Sequence, residues 1–141
     1  MKIRNVKSGD SEKIAILLDQ LGYHTERIAL KNRIDQLLND VNHCLVAGED
    51  DNGMIAVMSV HFVPQIALNG EIAIISYIAV DATSRGEGMG TALEEYCVWL
   101  AKKRNCEMIQ LHCDQRRTQA HKFYEKQGYT ESPKYFSKKL I

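Results

Sequence analysis

The chain has 141 residues with eighteen basic side chains against eighteen acidic ones, so no net field draws it to nucleic acid or to an anionic membrane. At 45% hydrophobic and 26% charged it has the balance of an ordinary globular protein, and its length suits a single domain spanning 1–141. No apolar run approaches the ~20 residues of a membrane span, and no secretory leader is evident, which points to the cytoplasm. Cys44, Cys97, Cys106 and Cys113 form no CxxC pair and read as reduced thiols, and the scattered histidines suggest no metal site.

In chain order, Lys2 to Val6 alternates as a short strand. Asp10 or Ser11 can cap a helix carrying Ile14, Leu17, Leu18 and Leu21 on one face, stopped by Gly22. A second helix begins at about Thr25, with Leu30, Ile34, Leu37 and Leu38 aligned. Cys44 to Ala47 and Met54 to Val63 read as strands joined by the turn Asp50 to Gly53. Asn69-Gly70 marks a second hairpin into Glu71 to Val80, whose nearly continuous apolar character predicts a central strand covered on both faces. Met89, Ala92, Leu93, Tyr96, Cys97, Leu100 and Ala101 keep a strict helical period. Met108 to Cys113 predicts a strand, Gln119 to Lys126 a helix ended by Gly128, and Tyr135 to Leu140 a last strand. The order of elements is that of a mixed α/β sheet, parallel where strands flank the long helix.

The segment richest in chemistry is Arg85-Gly86-Glu87-Gly88-Met89-Gly90-Thr91, between the buried strand and the long helix. Glycines at alternate positions let the backbone approach a ligand closely. The first amides of the helix lack partners within it and carry the positive end of its dipole, an arrangement that binds phosphate. Arg85 adds a forked cation. A Walker loop would need lysine before Thr91, and a dinucleotide fingerprint would need GxGxxG rather than the GxGxG present, with more sheet to follow.

Val80 to Gly90 resembles the acetyl-CoA motif of the GNAT acetyltransferases, whose core is Arg/Gln-x-x-Gly-x-Gly/Ala. Ala120-His121-Lys122-Phe123-Tyr124-Glu125-Lys126-Gln127-Gly128-Tyr129 is similar to that family's second motif, Ala-x-x-Phe-Tyr-x-x-x-Gly-Phe/Tyr. The resemblance implies a single GNAT-like domain with a mostly antiparallel central sheet, a splayed parallel pair and about four flanking helices. It implies transfer of an acetyl group from acetyl-CoA to a primary amine of a small molecule, by direct attack in a ternary complex. The amides of Arg85, Gly86, Glu87, Gly88, Met89, Gly90 and Thr91 would hold the pyrophosphate, and Ile78, Ala79 and Val80 the pantetheine arm. Tyr124, protonated at neutral pH, would be the general acid.

The glutamate that many relatives carry three or four positions before Val80 is absent; Tyr77 and Ser76 stand there. Glu71, through water, and His112 are the candidate bases, with deprotonation of the amine in bulk solvent as the alternative. Arg117, beside Arg116, replaces the asparagine common in the second motif and is a candidate cofactor contact. Tyr23, His24 and Tyr77 are candidates for the acceptor pocket. The alternatives to a small-molecule enzyme are a protein or peptide N-acetyltransferase and a module that binds acyl-CoA without turnover. Homodimers are common among such relatives.

Overall fold

The structure, a computed structural model, describes residues 1–112, 118–131 and 136–141. Five strands form one sheet in the order β1 (Lys2–Asn5), β2 (His43–Asp50), β3 (Gly53–Pro64), β4 (Glu71–Val80) and β5 (Met108–Leu111). The first four are antiparallel neighbours, and β5 runs parallel to β4. The helices are α1 (Ser11–Gln20), α2 (Arg27–Leu38), α3 (Met89–Lys103) and α4 (Thr118–Lys126). This is the mixed sheet that the order of apolar runs predicts.

Alternation along the strands divides the core between two faces. Val46, Met58, Val60 and Ile75 pack with Met89, Leu93, Cys97 and Ala101, the periodic stripe of α3. Leu45, Ala47, Val57 and Ala79 pack on the other face with Ile14, Leu17 and Ile34 of α1 and α2. Each fully buried aliphatic chain contributes about 1.5–3 kcal/mol, so the two-sided cover of β2 and β3 dominates the stability. The strand buried throughout its centre is β3, from Met54 to Val60, rather than β4 as its apolar sequence suggests. On β4, Ser76 and Tyr77 are exposed, because the cover there is the Tyr23 ring of the α1–α2 loop instead of a helix.

Local chemistry moves several boundaries. The cap of α2 is Glu26, whose carboxylate accepts from the amides of Ile28 and Ala29, so the helix starts two residues after Thr25. Asp10 holds the cap position of α1 but directs its carboxylate to Arg4 at 2.8 and 3.0 Å and to the amide of Lys7 at 2.8 Å. The predicted last strand does not form: residues 136–141 are exposed and without regular pairing, and Tyr135 lies outside the described residues.

Two polar anchors fix the ends of β4. At its start, Arg104 donates to Glu71 Oε1 through Nε (3.1 Å) and Nη2 (2.9 Å). The same guanidinium donates to the Val41 carbonyl (2.8 Å) and to Asn42 Oδ1 (3.0 Å), and it lies 4.2 Å over the Phe62 ring. At its end, the amide of Asp81 donates to the Ile55 carbonyl at 2.7 Å. The Asp81 carboxylate accepts from Thr83 N, Thr83 Oγ1 and Lys13 Nζ at 3.0, 2.7 and 3.2 Å. Gln20 of α1 accepts from the Ala82 amide at 2.8 Å. The entrance to the glycine segment is thereby tied to α1 on one side and to β3 on the other.

The start of α3 is seated by a missing side chain. A Cβ at Gly48 of β2 would overlap the Met89 thioether, itself fully buried. Gly48→Ala is expected to destabilise the protein by about 1–3 kcal/mol through overpacking, read as a lower urea midpoint. Asp81 tests the second anchor. The Thr83 hydroxyl, then the Thr83 amide and Lys13, hold its carboxyl at about 2, below the ordinary 3.8. A depressed carboxyl stabilises the fold at pH values above its unfolded value and loses that contribution as the pH falls through the folded one. Asp81→Asn should therefore lower the melting temperature at pH 7, with the gap to wild type closing between about pH 4 and pH 2.

Candidate active site

Three features meet at the end of β4. The first is a fork in the sheet. Parallel pairing with β5 covers Ile72 to Ile75 against Met108 to Leu111 and ends there among the described residues, while β3 stays paired as far as Val80. From Ser76 to Val80 one edge of β4 has no strand partner among the described residues, and alternate N–H and C=O groups along it face that side. The fork coincides with a bulge. Ser59 pairs with Tyr77 and Val60 with Ile75, so Ser76 is an extra residue with no opposite number on β3. A bulge of this kind re-aims a side chain and sharpens the local twist.

The second feature is the loop into α3. Gly86 has φ +85° and Gly88 φ +93°, both in the left-handed region that glycine enters without a Cβ penalty, and Gly88 is the cap residue of α3. The helix ladder begins with Ala92 N to Gly88 O at 3.0 Å, so the amides ahead of it have no helical acceptor. Arg85 is exposed and donates from Nε to the Val80 carbonyl at 3.2 Å, leaving its terminal nitrogens at the mouth of the loop. Glu87 is exposed and Thr91 half-buried. Met89 serves the core with its side chain and can offer a ligand its amide alone. The ring of Phe123 lies over Gly90, so α4 packs against the start of α3 there. The residues present fit an extended thioester with a pyrophosphate: an open strand edge of about the right reach runs into a cradle of free amides with a cation beside it.

The third feature is α4. Tyr124 is buried, edge-on to Phe123 (5.2 Å between centroids) and to Tyr129 (5.8 Å). Tyr129 donates its hydroxyl to Glu94 Oε1 at 3.2 Å. Burial raises the Glu94 carboxyl, and burial with the facing Glu94 raises the Tyr129 phenol well above its ordinary value. This polar pair beneath Tyr124 was not read from the sequence, where Glu94 lies off the apolar stripe of its helix.

The other sequence candidates separate. Tyr23 and Tyr77 come together, rings edge-on at 5.3 Å, yet remain 50% and 42% exposed, so they present aromatic surface at the fork. His24 does not join them and instead pairs with Asp19 on α1. Glu71 lies five residues before Ser76, about 17 Å along the strand, with its carboxylate held by Arg104. That geometry gives Glu71 an anchoring task at the far end of the sheet. His112 directly follows the last paired residue of β5 and so stands at the fork. Arg116 and Arg117 lie outside the described residues.

Sequence reasoning missed a polar chain crossing three strands. Ser76 Oγ donates to Ser59 Oγ at 3.0 Å and lies 3.3 Å from the Ser59 carbonyl oxygen. Ser59 Oγ is 2.8 Å from His43 Nε2. His43 is 8% exposed, its ring edge-on to His61 at 4.2 Å. Burial, then the neighbouring His61, pushes its imidazole down to about 4, against a smaller opposing pull from Asp40. His43 Nδ1 is buried without a hydrogen-bond partner, an arrangement that costs about 1–3 kcal/mol. The available signal was three polar residues, His43, Ser59 and His61, at inward positions of otherwise apolar strands.

Comparison with known proteins finds the same fold in solved structures. A transcriptional regulator from Bacillus halodurans C-125 shares the fold at 24% identity and TM-score 0.90, with 99% of each chain covered. Glucosamine-6-phosphate N-acetyltransferase from Arabidopsis thaliana shares it at 24% identity and TM-score 0.86, with 99% of this chain and 98% of that one covered. A GNAT family acetyltransferase from Staphylococcus aureus is 25% identical at TM-score 0.83, with the same shares covered. A search of curated protein sequences gives no match. Residues 14–129 match the Acetyltransferase (GNAT) family, and with most of its length inside that match the chain belongs to this family.

Proposed function

We propose that the chain transfers the acetyl group of acetyl-CoA to the primary amine of a small molecule, by direct attack in a ternary complex. The observation that carries this reading is the coincidence of the fork at Ser76 with the left-handed glycine loop capping α3. Acetyl-CoA supplies an activated acyl group and a thiolate leaving group. The amides of Gly86 to Thr91 and the Arg85 guanidinium neutralise its phosphates, and the open edge from Ile78 to Val80 pairs with its arm. A backbone N–H near Ile78 or Ala79 stabilises the negative charge that develops on the thioester oxygen. Tyr124 donates the proton that the thiolate takes up, since a phenol holds its proton at neutral pH.

Tyr23, folded over Tyr77, covers one side of the fork. Two rings from different elements standing beside the fork narrow it on that side, which favours a small acceptor over an extended peptide. A second reading, an acyl-CoA-binding module without turnover, draws on Ser76 and Tyr77 standing where relatives carry a carboxylate.

Calorimetric titration with acetyl-CoA tests the first step: the wild type should bind, and Gly88→Glu, which forces a charged side chain into a left-handed cradle for phosphate, should abolish binding. A folded wild type that does not bind ends the acetyltransferase reading. Tyr124→Phe should lower turnover about tenfold to a hundredfold with cofactor affinity nearly unchanged. Equal rates would remove Tyr124 from the mechanism, and binding without turnover of any amine would favour the module.

A further inference from the structure

Among the described residues, Ser76 and Tyr77 stand on β4 at the fork and neither is a carboxylate, but a proton acceptor is within reach. We propose that Ser76 Oγ receives the amine of the acceptor and that the chain Ser76–Ser59–His43 carries away the proton released as the amide bond forms. This rests on the acetyltransferase reading above and adds to it the route of the proton and the class of acceptor.

Geometry carries the argument. Ser76 is the bulged residue at the point where β4 and β5 part, so its side chain is exposed at the fork while its hydroxyl bonds inward. The two links behind it, 3.0 and 2.8 Å, are both short enough for proton transfer. They run from a residue exposed at the fork to a buried imidazole. With Ser76 donating to Ser59 and Ser59 to Nε2, His43 carries its own proton on Nδ1, the buried atom without a partner. A chain oriented in this way leaves a lone pair of Ser76 Oγ directed outward, ready to accept from an incoming N–H.

The step balances as follows. The neutral amine nitrogen forms a bond to the thioester carbon and the carbon–sulfur bond breaks. The nitrogen's proton passes to Ser76 Oγ, that of Ser76 to Ser59 Oγ, and that of Ser59 to His43 Nε2. The thiolate takes its proton from Tyr124; before the next cycle the extra proton on His43 leaves to solvent back along the serines, and the Tyr124 phenolate regains one from solvent. Weak basicity at His43 is compatible with this order of events. The nitrogen becomes strongly acidic once it is bonded to the acyl carbon, and an imidazole neutral throughout the physiological range keeps its Nε2 lone pair directed at Ser59. Among the described residues, the ionisable groups acting on His43 are His61 on β3, which opposes its protonation, and Asp40 before β2, which favours it; Arg104 binds the adjoining Asn42.

The half-exposed rings of Tyr23 and Tyr77 flank the same point. They suit a primary amine carried on an aromatic or otherwise apolar body, which would be held by ring contact while its nitrogen meets Ser76. The probe is therefore 2-phenylethylamine with acetyl-CoA, followed by release of free CoA thiol.

His43→Asn and Ser76→Ala should each reduce kcat about tenfold to a hundredfold, with KM for the amine within threefold and acetyl-CoA binding unchanged. Ser76→Thr, which keeps the hydroxyl, should restore most of the rate. In mixtures of light and heavy water the wild type should give a curved dependence of rate on deuterium fraction, the mark of several protons in flight, and the two impaired variants a shallower, linear one. Independently of turnover, imidazole nitrogen NMR should find His43 neutral from pH 5.5 to 8 with its proton on Nδ1, and its Nε2 signal should move in Ser59→Ala. Variant rates within twofold of wild type, or a His43 that protonates near its ordinary pH, would overturn the relay. A wild type that binds acetyl-CoA but leaves the amine unreacted overturns the inference and spares the cofactor reading, whereas failure to bind acetyl-CoA overturns both.

Discussion

A strand in a sheet has two edges, and β4 is required to give them to different partners. Along β3 its ladder is long, from Glu71 to Val80, while along β5, among the described residues, it lasts four residues, from Ile72 to Ile75. Backbone groups denied a strand partner must be satisfied by water or by a ligand. The extra residue at Ser76 is placed where this change occurs, and it adds local twist that carries the end of β4 away from the line of β5. The opening at the fork thus follows from hydrogen-bond accounting and not from any arrangement of side chains.

What the fork opens onto must be held still, and the fold does this at a distance from the gap. Arg104 secures the start of β4 to the loop before β2 and to the Phe62 ring. Asp81 and Gln20 secure its end to α1, and Gly48 lets Met89 sink into the sheet so that the first turn of α3 sits at a fixed height. The glycine loop lies between these two attachments. Its residues Gly86 and Gly88 sit at positive φ, a conformation strained for any side chain and open to glycine.

The parts of this design differ in how they can be read from sequence. Elements whose residues bury one face announce themselves by period, as Met89 to Ala101 does, and glycines required at positive φ announce themselves by identity, as Gly86 and Gly88 do. The cover of a strand is different, because it depends on what lies above it. The apolar run of β4 reads as doubly covered, but α1 ends at Gln20 and leaves Ser76 and Tyr77 exposed. The end of the chain shows the same limit, since the strand expected from Tyr135 to Leu140 has no described strand beside it. Glu71 looks like a carboxylate on the active strand until its distance from the fork and its bonds to Arg104 are known. The His43–Ser59–Ser76 chain was invisible for a related reason: its members are 16 and 17 positions apart in sequence, and register alone brings them together.

Register also explains why an isolated polar chain can persist in a sheet this apolar. Apolar residues at positions 43, 59 and 76 would fill the same space without an unpaired Nδ1 and without the desolvation that depresses the imidazole. Buried polar groups that are only partly satisfied are more costly than an apolar core. Their retention on three adjacent strands therefore has to be offset by something the apolar alternative lacks. Packing does not supply it, since Ser59 and Ser76 are smaller than the valines and isoleucines around them. The directionality of the chain does. It links a buried imidazole to Ser76, the bulged residue at the fork, and the proton route proposed above is what an apolar core could not provide.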